Sequence, residues 1–221
     1  MAAVYRPTII LTGGSRGIGL SCLEILLKSP IRANVVSLSR SFPAKLLELK
    51  KSYHDNLLVV QGDVKNDEDN KRAVESAIKT FGSIDGLILN SGIIHFERID
   101  KNKSLEAWRE VFDVVHHGAS KAAMNSLCRT LAAEEPEITS ISLRPGVTDT
   151  DMQEELRSKG KDIMTPTIYQ SCYDLYASSK IVRPERPAEV IVNLSIRADR
   201  ELTGKFLVWD DEELKTYRSS C

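Results

Sequence analysis

Three glycines near the start of the chain have the spacing of a loop that binds a phosphate group. Gly13, Gly17 and Gly19 follow the pattern G-x3-G-x-G within residues 12–19. This run comes directly after the β-like residues 7–11 and opens an apolar helical stretch. Glycine lets the backbone approach a phosphate closely, and a helix N-terminus presents free N–H groups with a partial positive charge. The alternative is a tight strand-to-helix turn that binds no ligand.

The bulk composition predicts one globular domain, residues 1–221. Of the 221 residues 42% are hydrophobic and 28% are charged, and the formal net charge is −1. This length allows one large buried core. The balanced charge gives no indication of a nucleic acid or a membrane surface as partner. No apolar run approaches membrane-spanning length, and the N-terminus lacks the pattern of a secretion signal.

The cysteine pattern favours a cytoplasmic protein. The four cysteines are far apart and form no C-x-x-C pair; they are Cys22, Cys128, Cys172 and Cys221. This spacing indicates neither a disulfide framework nor a metal site. We therefore expect reduced thiols and no bound metal.

Short apolar strands alternate with helical patterns, which is typical of a parallel sheet built from βαβ units. The predicted strands are residues 7–11, 34–38, 57–60, 86–89, 138–143 and 206–209, and the main predicted helices are 18–27, 44–53, 67–81 and 187–195. Asn66 is the expected N-cap of the third helix and Gly82 its C-terminal stop. Residues 149–186 are polar and mostly helical. The predicted fold class is therefore α/β, a Rossmann-like doubly wound parallel sheet.

Four further motifs follow the glycine loop in order along these elements. They are Gly62-Asp63-Val64, Asn90-Ser91-Gly92, Ala119-Ser120-Lys121-Ala122-Ala123 and Pro145-Gly146-Val147-Thr148-Asp149-Thr150. Together with the glycine loop, this ordered set resembles the short-chain dehydrogenase/reductase family, and within it the small carbonyl-reductase branch. The resemblance covers nearly the whole chain. It implies a nicotinamide cofactor and hydride transfer between that cofactor and a small carbonyl or alcohol.

The resemblance also implies a role for each motif. The residues that would hold the pyrophosphate are Gly13, Ser15, Gly17, Ile18 and Gly19. Asp63 and Val64 would hold the adenine, although Asp63 could instead cap a turn or a helix. Asn90, Ser91 and Gly92 stand where the family usually has Asn-Ala-Gly, at the carboxyl end of a central strand, which is where ligands bind in an open parallel sheet. The loop residues Pro145, Gly146, Val147 and Thr150 would lie along the nicotinamide and diphosphate, although they could instead form a plain Pro-Gly turn after a strand. Residues 149–186 would form a helical substrate loop.

The charges near the second strand favour NADP(H) over NAD(H). A chain that binds NAD(H) tends to place an acid at the end of this strand, where it accepts from the ribose hydroxyls. This chain has Ser39 and Arg40 there, and Arg16 in the glycine loop. Two guanidinium groups and a hydroxyl suit the 2′-phosphate of NADP(H). The alternative is that the arginines are merely solvated.

The catalytic motif of the family is incomplete in this chain. The family pattern places a tyrosine four residues before its lysine, on one face of a helix. The lysine binds the nicotinamide ribose and lowers the tyrosine pKa, so that the tyrosine acts as general acid or base. Here Lys121 is present, but His117 stands at the tyrosine position, and the sequence has no tyrosine between Tyr53 and Tyr169. His117 is a candidate substitute or a residue without a catalytic role. Lys121 is a candidate ribose ligand or a solvated helix lysine.

The spacing indicates an internal deletion between Val115 and Gly118. Asn90 and Lys121 are 31 positions apart, about half of what the family pattern needs. The absent block would contain one central strand, the catalytic serine and the stretch leading to the tyrosine. The resemblance implies a homodimer formed through the two affected helices, so the deletion argues against that dimer.

Three functional hypotheses follow. The first is an NADP(H)-dependent oxidoreductase that acts on a small carbonyl or alcohol. The second is a non-catalytic NADP-binding sensor or interaction protein. The third is an inactive deletion or splice product of an active reductase.

Overall fold

The computed structural model describes residues 5–28, 30–92, 121–162, 164–178 and 180–219. The strands are β1 (Thr8–Thr12), β2 (Asn34–Ser39), β3 (Leu57–Gln61), β4 (Gly86–Leu89), β5 (Ser142–Arg144) and β6 (Phe206–Val208). The helices are α1 (Gly17–Leu27), α2 (Ala44–Ser52), α3 (Asp67–Phe81), α4 (121–134), α5 (Asp151–Lys159), α6 (Pro166–Ala177) and α7 (Glu185–Arg197). Three short 3₁₀ helices complete the set in the described residues: Gly160–Asp162, Arg200–Leu202 and Glu212–Tyr217.

The first four strands form a parallel sheet in the order β3-β2-β1-β4. In the central strand, Ile9 is opposite Val35 of β2 and Gly86 of β4. All five residues of β1 are buried, because a parallel strand in the middle of a sheet is covered on both faces. Strands β5 and β6 pair in parallel in a separate two-stranded sheet. The predicted α/β class with a parallel central sheet is confirmed.

Helices cover both faces of the four-stranded sheet. On one face, Leu23 and Leu26 of α1 are fully buried in one cluster with Val192 of α7 and the sheet residues Ile9 and Leu11. On the other face, a second cluster joins Ala73 and Ala77 of α3 to Ile10, Val36 and Leu38. Because these residues alternate along β1 and β2, their side chains divide between the two helical layers.

The ends of α3 form as the sequence predicts. The Asn66 side chain accepts a hydrogen bond from the Glu68 N–H at 3.0 Å, which caps the first turn. The helix ends at Gly82, whose φ of +86° lies in the left-handed region that favours glycine. Both residues set the direction in which the chain enters and leaves the helix.

The contacts divide the chain into two compact units. The first unit comprises residues 1–91, 184–198 and 210–221, and the second comprises 92–183 and 199–209. The expected single domain stays a prediction, as does the loss of a central strand, since residues 93–120 lie outside the described ranges. In the parts of the chain that the structure describes, no helix is both long and apolar enough to cross a membrane.

Strand β5 begins later than the sequence indicates. The predicted strand at 138–143 is observed as Ser142–Arg144. The Ile138 N–H instead donates to the Glu135 carbonyl at 2.9 Å, in a turn after α4, and the Ile138 side chain is 45% exposed. The predicted start of the strand was therefore wrong, because Ile138 is apolar but lies in a turn.

The buried face of α1 is expected to dominate the stability of the first unit. The substitution Leu26→Ala removes a fully buried side chain and should lower the free energy of unfolding by about 2–5 kcal/mol, from lost burial and the cavity left behind. The control is Leu47→Ala in α2, where the leucine is 42% exposed, with an expected change within about 0.5 kcal/mol. Urea denaturation measures both, and equal effects would contradict the prediction.

Candidate functional site

The glycine loop connects the end of β1 to the first turn of α1. Gly13 and Gly17 have φ angles of +73° and +53°, which strain a residue that carries a side chain. A Cβ on Gly19 would lie 2.1 Å from the Gly13 carbonyl oxygen, so no side chain fits there. Arg16 occupies the N-cap position of α1. A helix N-terminus of this kind can bind an anion through its N–H groups.

Asn90 and Thr12 join the carboxyl ends of β4 and β1. The Asn90 side-chain amide donates to the carbonyl oxygens of Thr12 at 3.1 Å and of Gly13 at 3.2 Å. In the other direction, the Thr12 hydroxyl accepts from the backbone N–H groups of Asn90 and Ser91, both at 3.1 Å. These four hydrogen bonds hold the glycine loop against the end of β4.

At the end of β2, the two predicted residues differ in exposure. Ser39 is buried, with its hydroxyl 3.5 Å from that of Ser37. Arg40 is exposed, and its carbonyl oxygen accepts from the Gln61 side chain at 3.3 Å. Of the two side chains, therefore, that of Arg40 is the exposed one. The end of β2 lies against the glycine loop, because the Gly13 N–H donates to the Leu38 carbonyl at 2.9 Å.

Asp63 and Val64 lie in the connection between β3 and α3. The Asp63 Oδ1 accepts from the Lys65 N–H at 3.0 Å, the turn-capping bond that the sequence left open as an alternative. Val64 is 38% exposed. The turn therefore presents an apolar side chain to solvent next to a partly buried carboxylate.

The second unit holds the loop 145–150 after β5. The Thr148 side chain is buried, and its hydroxyl lies 3.0 Å from the Pro145 carbonyl and 3.4 Å from that of Gly146. Gly146 has a φ of +71°. Two backbone hydrogen bonds join this loop to Val182. The Val182 carbonyl accepts from the Asp149 N–H at 2.8 Å, and the Val182 N–H donates to the Val147 carbonyl at 2.9 Å.

Lys121 stands at the beginning of the described part of α4. It is exposed, and a Cβ built on Gly92 would lie 3.8 Å from its Nζ atom. The lysine ammonium therefore approaches the last residue of the Asn90–Gly92 motif. His117 and the predicted junction between Val115 and Gly118 lie outside the described residues.

A polar cleft of about 500 Å³ opens between α5 and α6 of the second unit. Its lining residues are Asp149, Thr150, Asp151, Glu154, Arg157, Tyr173 and Tyr176. The Arg157 guanidinium stacks on the Tyr176 ring at 4.0 Å and lies 3.6 Å from the Asp149 carboxylate. Arg157 therefore connects α5 both to α6 and to the loop 145–150.

The predicted site residues fall into two groups by unit. The first unit contains Gly13, Ser15, Arg16, Gly17, Ile18, Gly19, Ser39, Arg40, Asp63, Val64, Asn90 and Ser91, and the second contains Gly92, Lys121, Pro145, Gly146, Val147 and Thr150. In the first unit these residues lie at or just beyond the carboxyl ends of β1–β4, the edge where ligands bind in open parallel sheets. No cluster of three or more metal-binding side chains occurs in the described ranges.

A family model described as short chain dehydrogenase matches residues 7–118, half of the chain. The chain belongs to the short-chain dehydrogenase/reductase family. It is accordingly an oxidoreductase of that type, from a family that binds nicotinamide cofactors.

Relatives and solved structures match this short-chain dehydrogenase/reductase along nearly all of its length. An uncharacterized oxidoreductase of Schizosaccharomyces pombe is 32% identical, over 95% of this chain and 98% of the relative. A benzil reductase ((S)-benzoin forming) of Saccharomyces cerevisiae is 25% identical, over 93% of this chain and 97% of the relative. A crystal structure of a short-chain dehydrogenase/reductase from Saccharomyces cerevisiae has a TM-score of 0.88 at 26% identity, covering 96% of this chain and 100% of that one.

The alignments with these relatives are longer than the chain itself. The Schizosaccharomyces pombe alignment runs over 248 positions and the benzil reductase alignment over 255, against 221 residues in this chain. At least 27 positions of the first alignment therefore have no residue from this chain. The relatives contain residues, within the matched region, that this chain lacks.

Several residues that shape the site were not predicted from the sequence. Thr12 lies within the glycine run, but its bonds to β4 were not predicted. Asp69, Arg72 and Arg157 were not singled out. Only the short spacing of Asp69 from the Gly62-Asp63-Val64 motif could have drawn attention to it, because a side chain in the first helical turn can reach the preceding loop.

The Gly19 contact gives a direct test of the loop. Gly19→Ala should lower the stability of this short-chain dehydrogenase/reductase, although alanine in a helix normally stabilises by about 0.5–1 kcal/mol relative to glycine. The reason is the clash of the new Cβ with the Gly13 backbone. The matched control is Gly92→Ala, for which the one neighbour of the new Cβ among the described residues is the Lys121 Nζ atom, at 3.8 Å. Thermal melting compares them, and a Gly19→Ala protein as stable as wild type would contradict the geometry.

Asp69 gives a pH-dependent test. The Asp63 N–H donates to its carboxylate and holds the pKa of Asp69 below the ordinary value of about 3.9; burial opposes this shift and Arg72 adds to it. The carboxylate therefore contributes stability above the unfolded-state pKa, and this contribution is lost as the pH falls through the lower folded-state pKa. Urea denaturation at acidic pH should show a shallower pH dependence for Asp69→Asn than for wild type. Equal slopes would contradict the assignment.

Proposed function

We propose that this chain binds NADP(H) at the carboxyl ends of β1–β4 and uses it in hydride transfer to or from a small carbonyl or alcohol. The observation that carries the proposal is the glycine loop, where Gly13 and Gly17 adopt positive φ and Gly19 has no room for a side chain. The loop leads directly into the N-terminus of α1, which begins at Gly17. A pyrophosphate fits such a loop, because it can accept from the backbone N–H groups and benefits from the helix dipole.

The pyrophosphate would be held by the loop backbone and the Ser15 side chain, with Ile18 packed against the core. The adenine would lie on Val64, which is exposed beside Asp63. Lys121 would bind the nicotinamide ribose, a role supported by its approach to Gly92. Asn90, Ser91 and Gly92 would bind the cofactor at the carboxyl end of β4. The loop residues Pro145, Gly146, Val147 and Thr150 would lie along the nicotinamide and diphosphate.

The preference for NADP(H) over NAD(H) rests on Arg40, with Arg16 as a second cation. Both side chains are exposed, and Arg40 follows β2 at the position where an acid would favour NAD(H). Ser39 contributes less than the sequence suggested, because its hydroxyl is buried beside Ser37. A guanidinium can bind a phosphate through two parallel hydrogen bonds.

A titration of both cofactors tests this preference. Wild type should bind NADPH more tightly than NADH, and Arg40→Ala should weaken NADPH binding about tenfold or more while leaving NADH binding nearly unchanged, since it removes a charge-assisted hydrogen bond. The matched control is Arg6→Ala, an exposed arginine that precedes the opposite end of β1. Nicotinamide fluorescence reports binding. Tighter NADH binding by wild type would refute the preference.

The proton that accompanies hydride transfer needs an acid or base on the chain. When bound, NADP(H) supplies or accepts the hydride. In this sequence His117 stands four residues before Lys121, where the family pattern has tyrosine. An imidazole can donate or accept a proton, with an ordinary pKa near 6.5. A lysine ammonium nearby would favour the neutral imidazole, which is a weak acid at neutral pH.

The second candidate function is therefore cofactor binding without turnover. It is favoured by the longer alignments of the relatives and by the absence of tyrosine between Tyr53 and Tyr169. We infer that the residues absent from this chain belong between Val115 and Gly118, with the catalytic serine, the tyrosine and one strand. The chain would then be a sensor or interaction protein, or a deletion or splice product of an active reductase.

An NADPH oxidation assay against aromatic aldehydes and diketones separates the two functions. Turnover that is lost in a His117→Ala protein supports the reductase, with His117 as acid. NADPH binding without turnover supports the second function. Sequencing the coding region across His116 tests the deletion directly, and an uninterrupted exon there would argue against a splicing origin.

We propose a cytoplasmic location for the protein. The described cysteines Cys22, Cys128 and Cys172 are free, which supports a reducing, cytoplasmic location. A homodimer is the arrangement implied by the family, and the inferred deletion removes part of the helices on which it would depend. Light scattering measures the oligomeric state.

A further inference from the structure

The connection between β3 and α3 is held by a side chain from the helix that follows it. The Asp69 Oδ2 atom accepts from the Asp63 N–H at 2.8 Å. The Asp69 side chain is 17% exposed, so this charge-assisted bond is largely shielded from water. The position of Asp63 therefore depends on a carboxylate in the first turns of α3, and the Asp63 backbone does not set it alone.

Arg72 adds a second connection from α3 to the end of β3. Its Nη2 atom lies 2.8 Å from the Asp69 Oδ1 atom and donates to the carbonyl oxygen of Gln61. Each side chain therefore holds the other while it bonds to the backbone. Asp69 binds the residue after Gly62, and Arg72 binds the residue before it.

Gly62 allows this close approach. A Cβ on Gly62 would lie 2.7 Å from the Asp69 Cβ and Cγ atoms and 2.8 Å from its Oδ2 atom. The backbone of Gln61–Asp63 therefore packs directly on the Asp69 side chain. Any change in that side chain alters the surface on which the loop rests.

The same connection reaches the end of β2. The Gln61 side chain donates to the Arg40 carbonyl at 3.3 Å, and the Gly62 N–H donates to the Ser39 carbonyl at 3.1 Å. Gln61 and Gly62 thus link the loop held by α3 to the segment that carries the Arg40 guanidinium.

We propose that Asp69 and Arg72 are positioning residues for the adenosine end of the cofactor. Neither is assigned contact with the ligand. They hold Asp63 and Val64, and through Gln61 the Arg40 segment, in the arrangement that receives adenine and the 2′-phosphate. This inference rests on the proposed function, since it requires a dinucleotide at this edge of the sheet.

The test compares two substitutions that remove the same charge from the same helix end. Asp69→Ala removes the bonds to Asp63 and Arg72, whereas Asp67→Ala removes an exposed first-turn acid. The probe is 2′,5′-ADP, which represents the adenosine end, titrated by calorimetry. A second probe is nicotinamide mononucleotide, which lacks adenosine.

Asp69→Ala should bind 2′,5′-ADP about tenfold more weakly than wild type, as expected for losing a hydrogen bond to a charged group. Its binding of nicotinamide mononucleotide should stay unchanged. Asp67→Ala should match wild type with both probes. Arg72→Ala should fall between them, because the Asp69–Asp63 bond remains. A general loss of folding would weaken the binding of both probes alike and would lower the melting temperature. Weaker binding of 2′,5′-ADP alone therefore indicates a positioning role.

The outcomes distinguish the inference from the function on which it rests. If wild type binds 2′,5′-ADP and Asp69→Ala binds it equally well, Asp69 does not position the site and the inference is wrong, while the proposed function stands. If wild type binds neither probe, nor NADPH, the proposed function fails and the inference falls with it. The Asp63 amide should also exchange its hydrogen more slowly in wild type than in Asp69→Ala. This measurement reports the Asp69–Asp63 hydrogen bond without any ligand.

Discussion

The hydrogen bonds between Asn90 and the glycine loop determine how closely β1, α1 and β4 approach one another. The Asn90 amide bonds to two successive carbonyl groups, of Thr12 and Gly13. A Cβ on Gly19 would lie 2.5 Å from the Asn90 Nδ2 atom as well as against the Gly13 carbonyl. Glycine is therefore needed at this position by packing within the protein, before any ligand is considered. The same close contact shapes the backbone that a pyrophosphate would approach.

Much of the first unit could be predicted because its signals are local. The apolar runs of β1 to β4, the Asn66 cap and the Gly82 stop each depend on a few consecutive residues, and the structure places them within one residue or so of the predicted bounds. The order of the motifs along the chain identified the family, and the family model agrees.

What could not be predicted depends on which side chain reaches which backbone group. Asp67, Glu68 and Asp69 look equivalent in the sequence, yet only the third is shown bonding back to Asp63. The burial of Ser39 likewise depends on the neighbouring strands, not on its own pattern. In the second unit, Arg157 stacks on Tyr176 and so joins α5 to α6. The sequence predicts only that this region is polar and helical. Such contacts arise only once the elements are packed.

The first unit is assembled from three separate stretches of the chain. Helix α7 supplies Ala188 and Val192, which are buried in one cluster with Cys22 and Leu23 of α1. During synthesis, α7 leaves the ribosome only after residues 92–183 have been made. Until then, this apolar face of α1 has no α7 to cover it, and the nascent chain exposes it to chaperones and to other unfolded chains. The layer that α1 and α7 form on this face of the sheet is therefore completed only late in synthesis, after the α3 layer on the other face.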